Sequence, residues 1–354
     1  MMKKRWKRGG ALLLALALAL SGTGILKTRA AVAVDVDLKT ETLKLEVSAD
    51  AFDDSGSLLV KGDETRAPER MLEDLVVKLY KVATVSESGT FTATDNFSNM
   101  DVSSVAPGSG SAATWNQRAE EAFKMLSADD TADYTGTIDL DGGSYTVTFS
   151  SEDADNPLKT GLYLIVPEAA DSNYCTYTFA PSLVSLPDND FYATGSDAWI
   201  YDVEVSLKPE KTPRYGSLKI IKDLVNQNTT FGDDATFIFR IDIDPIIGED
   251  SQKMAALNFN AAGTGRAVVD SIPAGALVTV TEVYSGAGYQ LAAGSSPTQQ
   301  APVIEADDVV SVSFQNESSG SATGGYGVIN SFGLDGNNNY EYNVGYAGSA
   351  QPTE

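Results

Sequence analysis

From about residue 42 onward, apolar and polar residues alternate at short range, and Gly, Asp, Asn and Ser break the runs. A period of two with turn residues between runs predicts β-strands. Leu43–Val47, Leu75–Val82, Ser144–Phe149, Gly161–Val166, Tyr174–Phe179 and Trp199–Val205 read as one set. Ser217–Lys222, Thr236–Ile243, Arg266–Asp270, Leu277–Val283 and Val309–Phe314 read as a second. One segment changes period. Thr114 is followed three residues on by Gln117, a capping-box spacing, and Trp115, Ala119, Ala122, Phe123 and Leu126 then recur as on one helix face. This predicts an amphipathic helix over Trp115–Leu126. Between the two sets, Lys208–Arg214 holds two prolines and four charged residues, and proline cannot join a central ladder. The fold class expected is all-β: two tandem β-sandwich domains, at 32–210 and 213–333, the first with an inserted helix. The Gly-, Asn- and Ser-rich stretch 334–354 reads as a flexible tail.

Three polar residues interrupt the second set. The face carrying Leu218 and Ile220 reaches Lys222, that of Val278 and Val280 reaches Glu282, and that of Val310, Val312 and Phe314 reaches Asn316. Strand side chains alternate, so each points inward with its apolar neighbours. A lone buried lysine, glutamate or asparagine is costly. Brought together, the three can react. Burial favours the neutral, nucleophilic form of lysine, and a glutamate held protonated in the same apolar site can shuttle the proton and polarise the carboxamide. The product is a Lys–Asn isopeptide bond, made once, with ammonia lost and no cofactor. Alternation fixes facing and not proximity, so three strand-end side chains reaching solvent is the competing reading. Lys219 also competes with Lys222, but it shares its face with Ser217 and Ile221.

Charge and composition narrow the classes. Lys3, Lys4, Arg5, Lys7 and Arg8 precede an apolar Ala/Leu run at Ala11–Leu20, and small residues follow near Ala31 and Ala33. This reads as a secretory signal over 1–31, its apolar run too short to span a bilayer. Seven of the 25 basic residues precede Ala31 and no acid does, leaving 18 basic against 49 acidic residues, a net charge of −31. Such a surface repels nucleic acid and anionic lipid. Cys175 is the sole cysteine, which excludes an intrachain disulfide, and it reads as a small buried hydrophobe. Histidine is absent, which removes the commonest general base and every Ser-His or Cys-His nucleophile pair. No metal set is read: Asp139–Gly143 is explained by a hairpin turn, and the glycine-rich Gly320–Gly327 lacks the lysine of a phosphate loop.

Several ordered motifs then resemble known families. Gly216–Lys222 (Gly-Ser-Leu-Lys-Ile-Ile-Lys), Ile272–Ala276 (Ile-Pro-Ala-Gly-Ala), the Val-Thr-Val-Thr-Glu run ending at Glu282, Gly288-Tyr289 and Val312–Asn316 (Val-Ser-Phe-Gln-Asn) resemble the immunoglobulin-like CnaB-type domain of Gram-positive adhesins. The resemblance implies that Lys222 and Asn316 form the isopeptide and that Glu282 is its acid/base catalyst. In the first domain, Leu79–Ala83, Thr160–Val166 and Tyr177–Pro187 resemble the SpaA-like N-terminal domain of sortase-assembled pilin subunits. Trp199, Val203, Val205 and Lys208 match that family's pilin motif, while Ser206 and Leu207 replace its Tyr and Pro. The resemblance implies Lys208 as the lysine a pilus-assembling sortase links to the next subunit. Alternation places Lys208 on the polar face with Asp202, Glu204 and Ser206, opposite Trp199, Tyr201, Val203, Val205 and Leu207.

The expectation is thus a structural subunit of a pilus or fimbria, exported to the surface of a Gram-positive cell and not a turnover enzyme. Its partners are other pilin subunits, the sortase and a host or matrix ligand; nucleic acid and a small-molecule cofactor are not among them. The chain ends at Gln351-Pro352-Thr353-Glu354 without the Leu-Pro-x-Thr-Gly sorting motif of backbone pilins, which fits a truncated chain, an acceptor-only subunit or a different anchor. The alternatives are a non-polymerising secreted or surface adhesin and a glycan-active enzyme. Paired carboxylates suggest the latter, but they arise by chance in so acidic a chain.

Overall fold

The computed structural model describes residues 32–37, 41–48, 69–105, 111–140, 143, 145–189, 198–229, 234–286, 288–320 and the backbone of 327–334 and 340–347. The signal read at 1–31 lies outside these residues, as does the end of the chain from 348. Two compact units emerge. The first holds described residues up to 48, 73–170 and 178–210; the second holds 69–72, 171–177 and everything from 211. The change of unit at 210/211 falls within the stretch read as the boundary. Residues 69–72 and 171–177, assigned by sequence to the first domain, belong instead to the second.

In chain order the strands up to this boundary are β1 (Thr42–Val47), β2 (Leu75–Val85), β3 (Phe91–Ala93), β4 (Tyr134–Ile138), β5 (Thr146–Ser150), β6 (Gly161–Pro167), β7 (Ala170–Asp171), β8 (Cys175–Phe179), β9 (Ser182–Leu186) and β10 (Asp202–Leu207). One sheet runs β10-β1-β5; the other runs β3-β2-β6-β9, with β4 also on β2. Leu75, Val77 and Leu79 are fully buried on one face of β2. A bulge between Lys81 and Ala83 shifts the register against β6, and Val82 and Ala83 are both fully buried as a result. The helix, α1 (Ala112–Met125), packs on the core formed by Val82, Ala83, Leu162 and Leu164. It begins a turn earlier than the sequence reading: Ser111 is the cap, its hydroxyl accepting from the Thr114 amide at 3.2 Å. Ala119 and Ala122 are buried, whereas Phe123, read as part of the packing face, is 46% exposed.

Proline placed the linker, and the fold corrects it. Pro209–Pro213 forms β11, an edge strand of a three-stranded sheet of order β11-β8-β7. An edge tolerates the missing donor that a central position would not. Lys211 is held there 3.9 Å from the buried Glu69 carboxylate and 5.0 Å above the Tyr177 ring, and Ser172 donates to Glu69 at 2.6 Å.

The second unit continues with β12 (Tyr215–Leu224), β13 (Ala235–Asp244), β14 (Ser251–Phe259), β15 (Gly263–Pro273), β16 (Leu277–Tyr284), β17 (Tyr289–Leu291), β18 (Thr298–Gln300) and β19 (Val309–Ser318). Two four-stranded sheets form, β15-β12-β19-β17 and β14-β13-β16-β18. Leu218 and Ile220 from β12 and Val312 and Phe314 from β19 share one core with Phe237, Phe239 and Ile241 from β13 and Val278 and Val280 from β16. Both sheets turn an apolar face to one interior, which is a β-sandwich. The proposed tail from 334 is corrected too. β20 (Gly327–Leu334) pairs antiparallel with β21 (Tyr340–Ala347). Tyr340, Tyr342, Val344 and Tyr346 recur at period two, a strand signal that the surrounding Gly and Asn hid.

Replacing the helix cap, Ser111→Ala, removes the acceptor of the Thr114 amide and costs the helix about 1 kcal/mol. Hydrogen exchange at Thr114 is then several-fold faster, and unchanged exchange contradicts the assignment.

Candidate functional site

In β12, the residues at 216, 218, 220, 222 and 224 are all buried and those between are not. Lys222 is therefore an interior position of an unbroken inward row. The strands of Glu282 and Asn316 likewise run on to Tyr284 and Ser318. Lys222 and Asn316 are each 0% exposed and Glu282 is 8% exposed. This excludes the reading of three strand-end side chains in solvent. Lys219, on the outer face of β12, is only half-buried.

Topology brings the three together. β12 and β19, the first and last strands of the sandwich, run parallel and adjacent, with Lys222 opposite Phe314 and Leu224 opposite Asn316. Lys222 and Asn316 are thus diagonal neighbours on one inward face. Glu282 comes from β16 in the facing sheet, where it is paired in register with Phe239. The Lys222 amine donates to Glu282 Oε2 at 2.9 Å and to Asn316 Oδ1. Asn316 Nδ2 donates to Glu282 Oε1 at 2.7 Å. Each group in this triangle touches the other two.

The surroundings are aromatic. The Lys222 amine lies 4.4 Å from the Phe237 ring centroid, and Phe239 and Phe314 pack with centroids 5.0 Å apart. Burial pushes the Lys222 amine below the usual lysine range, opposed by its hydrogen bond to Glu282. An amine that burial drives toward its neutral form, a carboxyl that touches both partners and a carboxamide electrophile are the components of an acyl transfer from Asn to Lys. Phe237 was not singled out from the sequence: its place at the amine depends on how β13 faces β12, which alternation along one strand does not reveal.

Lys208 belongs to the first unit and is exposed between β10 and β11. Asp202, Glu204 and Ser206 are exposed with it, while Val203 and Leu207 are buried. Cys175 is 2% exposed, and burial pushes its thiol up to about 12, which makes it a poor nucleophile. Among the described residues no group of three or more Cys, Asp or Glu side chains is arranged to hold a metal ion; Asp141 and Gly142 lie outside them.

Phe237→Ala removes the ring beside Lys222 and leaves a cavity in the core of the sandwich. It costs the second unit about 3–5 kcal/mol in chemical denaturation. A loss below about 1 kcal/mol contradicts the packing described.

A family model described as a domain of unknown function, DUF5979, matches residues 218–319, the stretch that carries all three side chains. No curated protein matches. Among solved structures, the minor pilin GBS52 of Streptococcus agalactiae is similar at 16% identity and a TM-score of 0.23, over 79% of this chain and 97% of that one. The full-length major pilin SpaD of Corynebacterium diphtheriae is similar at 14% identity and a TM-score of 0.29, over 80% and 99%. The major pilin T-13 of Streptococcus pyogenes is similar at 11% identity and a TM-score of 0.22, over 79% and 97%.

Proposed function

We propose that this chain is a structural subunit of a Gram-positive surface pilus, exported by its basic-apolar leader and braced in its second unit by an amide between Lys222 and Asn316. The closed contact of amine, carboxyl and carboxamide in a dry core carries this reading. The Lys222 ammonium passes a proton to the Glu282 carboxylate. The freed amine adds to the Asn316 carboxamide carbon, and the tetrahedral adduct is held by the carboxyl. Glu282 then gives its proton to the departing nitrogen and takes one from the attacking nitrogen, the carbon–nitrogen bond of the old carboxamide breaks, and ammonia leaves. Lysine keeps a neutral amide nitrogen and nothing is oxidised or reduced. Glu282 acts within its own chain and once, so the protein is not an enzyme in the turnover sense. No metal or cofactor enters the step.

The brace closes a loop spanning 94 positions between two neighbouring parallel strands. By analogy with a disulfide of that loop length, it is worth on the order of 4 kcal/mol. It also prevents β12 and β19 from being separated by a pull on the chain ends, the property a load-bearing fibre needs. Lys208 suits a different reaction. It is exposed, beside a polar face, and reachable by a second protein, which supports a sortase-made link between subunits.

Intact mass of the full chain is lower than the sequence mass by one ammonia. In Glu282→Ala the deficit disappears after allowing for the substitution, and thermal stability falls by the amount above. A wild-type chain at full mass contradicts the amide. For the link between subunits, co-expression with a pilus-assembling sortase gives a ladder on denaturing gels that Lys208→Ala abolishes. A ladder that survives moves the link to another lysine; no ladder at all leaves the adhesin reading, in which the chain binds a host or matrix ligand without polymerising.

A further inference from the structure

The first unit contains a buried carboxyl and a half-buried amine that line one cavity. Glu41, just ahead of β1, is 1% exposed, and neither of its carboxyl oxygens has a hydrogen-bond partner. Glu41 and Lys81 both line a cavity of about 370 Å³, together with Ser151, Lys159, Thr160 and Val36. That volume admits a small organic molecule.

Local geometry aims Lys81 at this space. Lys81 sits at the β2 bulge, where register against β6 breaks, and bulges of this kind re-aim a side chain. Its amine lies 5.7 Å from the Tyr163 ring centroid. Gly161 clears room for the stem: a Cβ there would meet Lys81 Cε at 2.7 Å. The Lys81 backbone amide donates to Asp133 at 2.7 Å, which fixes the strand at this point.

Electrostatics divide the two groups in opposite senses. Burial raises the Glu41 carboxyl to about 7, moderated by Lys81. Burial lowers the Lys81 amine, helped by the Lys159 charge and opposed by Asp133 and Glu41. Both are thus driven toward their neutral forms. The pair is not spent as an ion pair, because the carboxyl oxygens are bare.

We infer that the Lys81 amine and the Glu41 carboxyl form a covalent binding site for a small aldehyde or ketone, held as an imine. The amine nitrogen adds to the carbonyl carbon to give a carbinolamine. The Glu41 carboxyl protonates its hydroxyl, which leaves as water, and the nitrogen returns a proton to Glu41. The balance is one carbonyl compound and one amine in, one imine and one water out, with no redox change. Water can reverse it, so the attachment is exchangeable. This site is independent of the brace around Lys222.

The test uses the full chain, propionaldehyde as the probe and cyanoborohydride at pH 7 to trap any imine, with the modified lysines located by peptide mass mapping. Lys81 is alkylated at least about tenfold faster than the exposed Lys208 of the same molecule, and Glu41→Gln slows Lys81 by at least about tenfold while leaving Lys208 unchanged. Circular dichroism confirms that the variant is folded; should it not fold, the comparison of two lysines within the wild-type chain decides alone. Equal rates at Lys81 and Lys208, or a folded Glu41→Gln variant as fast as wild type, overturns the inference.

Discussion

A lysine amine in an apolar core has to be compensated, and the second unit is organised around that requirement. Transfer of an unpaired charge into such a core costs several kcal/mol, and a buried pair recovers it only when its remaining hydrogen bonds are made. At Lys222 they are made by Glu282 and Asn316, one from the facing sheet and one from the neighbouring strand. The same enclosure that makes the charge costly lowers the amine toward its neutral form. Conversion to an amide removes the charged lysine from the core altogether. The cost of the charge and the lowering of the amine therefore have one cause: apolar walls built from Phe237, Phe239 and Phe314 around three polar groups.

The direction of the strands decides what such a bond can do. β12 and β19 are far apart in sequence and adjacent in the sheet, and they run parallel. A link between Lys222 and Asn316 shortens the load path across the sandwich to a few covalent bonds. The first unit contributes different chemistry. Strand β10 pairs parallel with β1, its exposed acids matched there by Lys44, which contacts Glu204 at 2.6 Å. Lys208 follows directly, outside the ladder. Lys222 points inward along β12, whereas Lys208 lies exposed just past β10.

Much of this was legible along the chain because strand parity is local. The rows through Lys222, Glu282 and Asn316 could be read from Leu218, Val278 and Val312, each four residues away. Their meeting could not: it depends on parallel pairing of β12 with β19 and on which β16 residue faces them, both set by contacts more than thirty residues apart. Proline in Pro209–Pro213 indicated an end to regular pairing and was correct about central strands, but an edge position satisfies the same constraint. Thr114 carries the spacing of a cap, yet Ser111 is the one preceding the first turn, so the predicted helix started late. Glu41 and Lys81 gave no signal, because neither the bulge after Lys81 nor the enclosure of Glu41 follows from residue type.

The measurement that bears most directly on the brace is single-molecule extension of the full chain held by its ends. With the amide in place, the residues between Lys222 and Asn316 stay locked, and full unfolding falls short of the sequence length by their 94-residue span, roughly 330 Å of contour. The account predicts that shortfall in the wild-type chain and its recovery in Glu282→Ala. A wild-type chain that pays out its whole contour length would show that amine and carboxamide touch without joining.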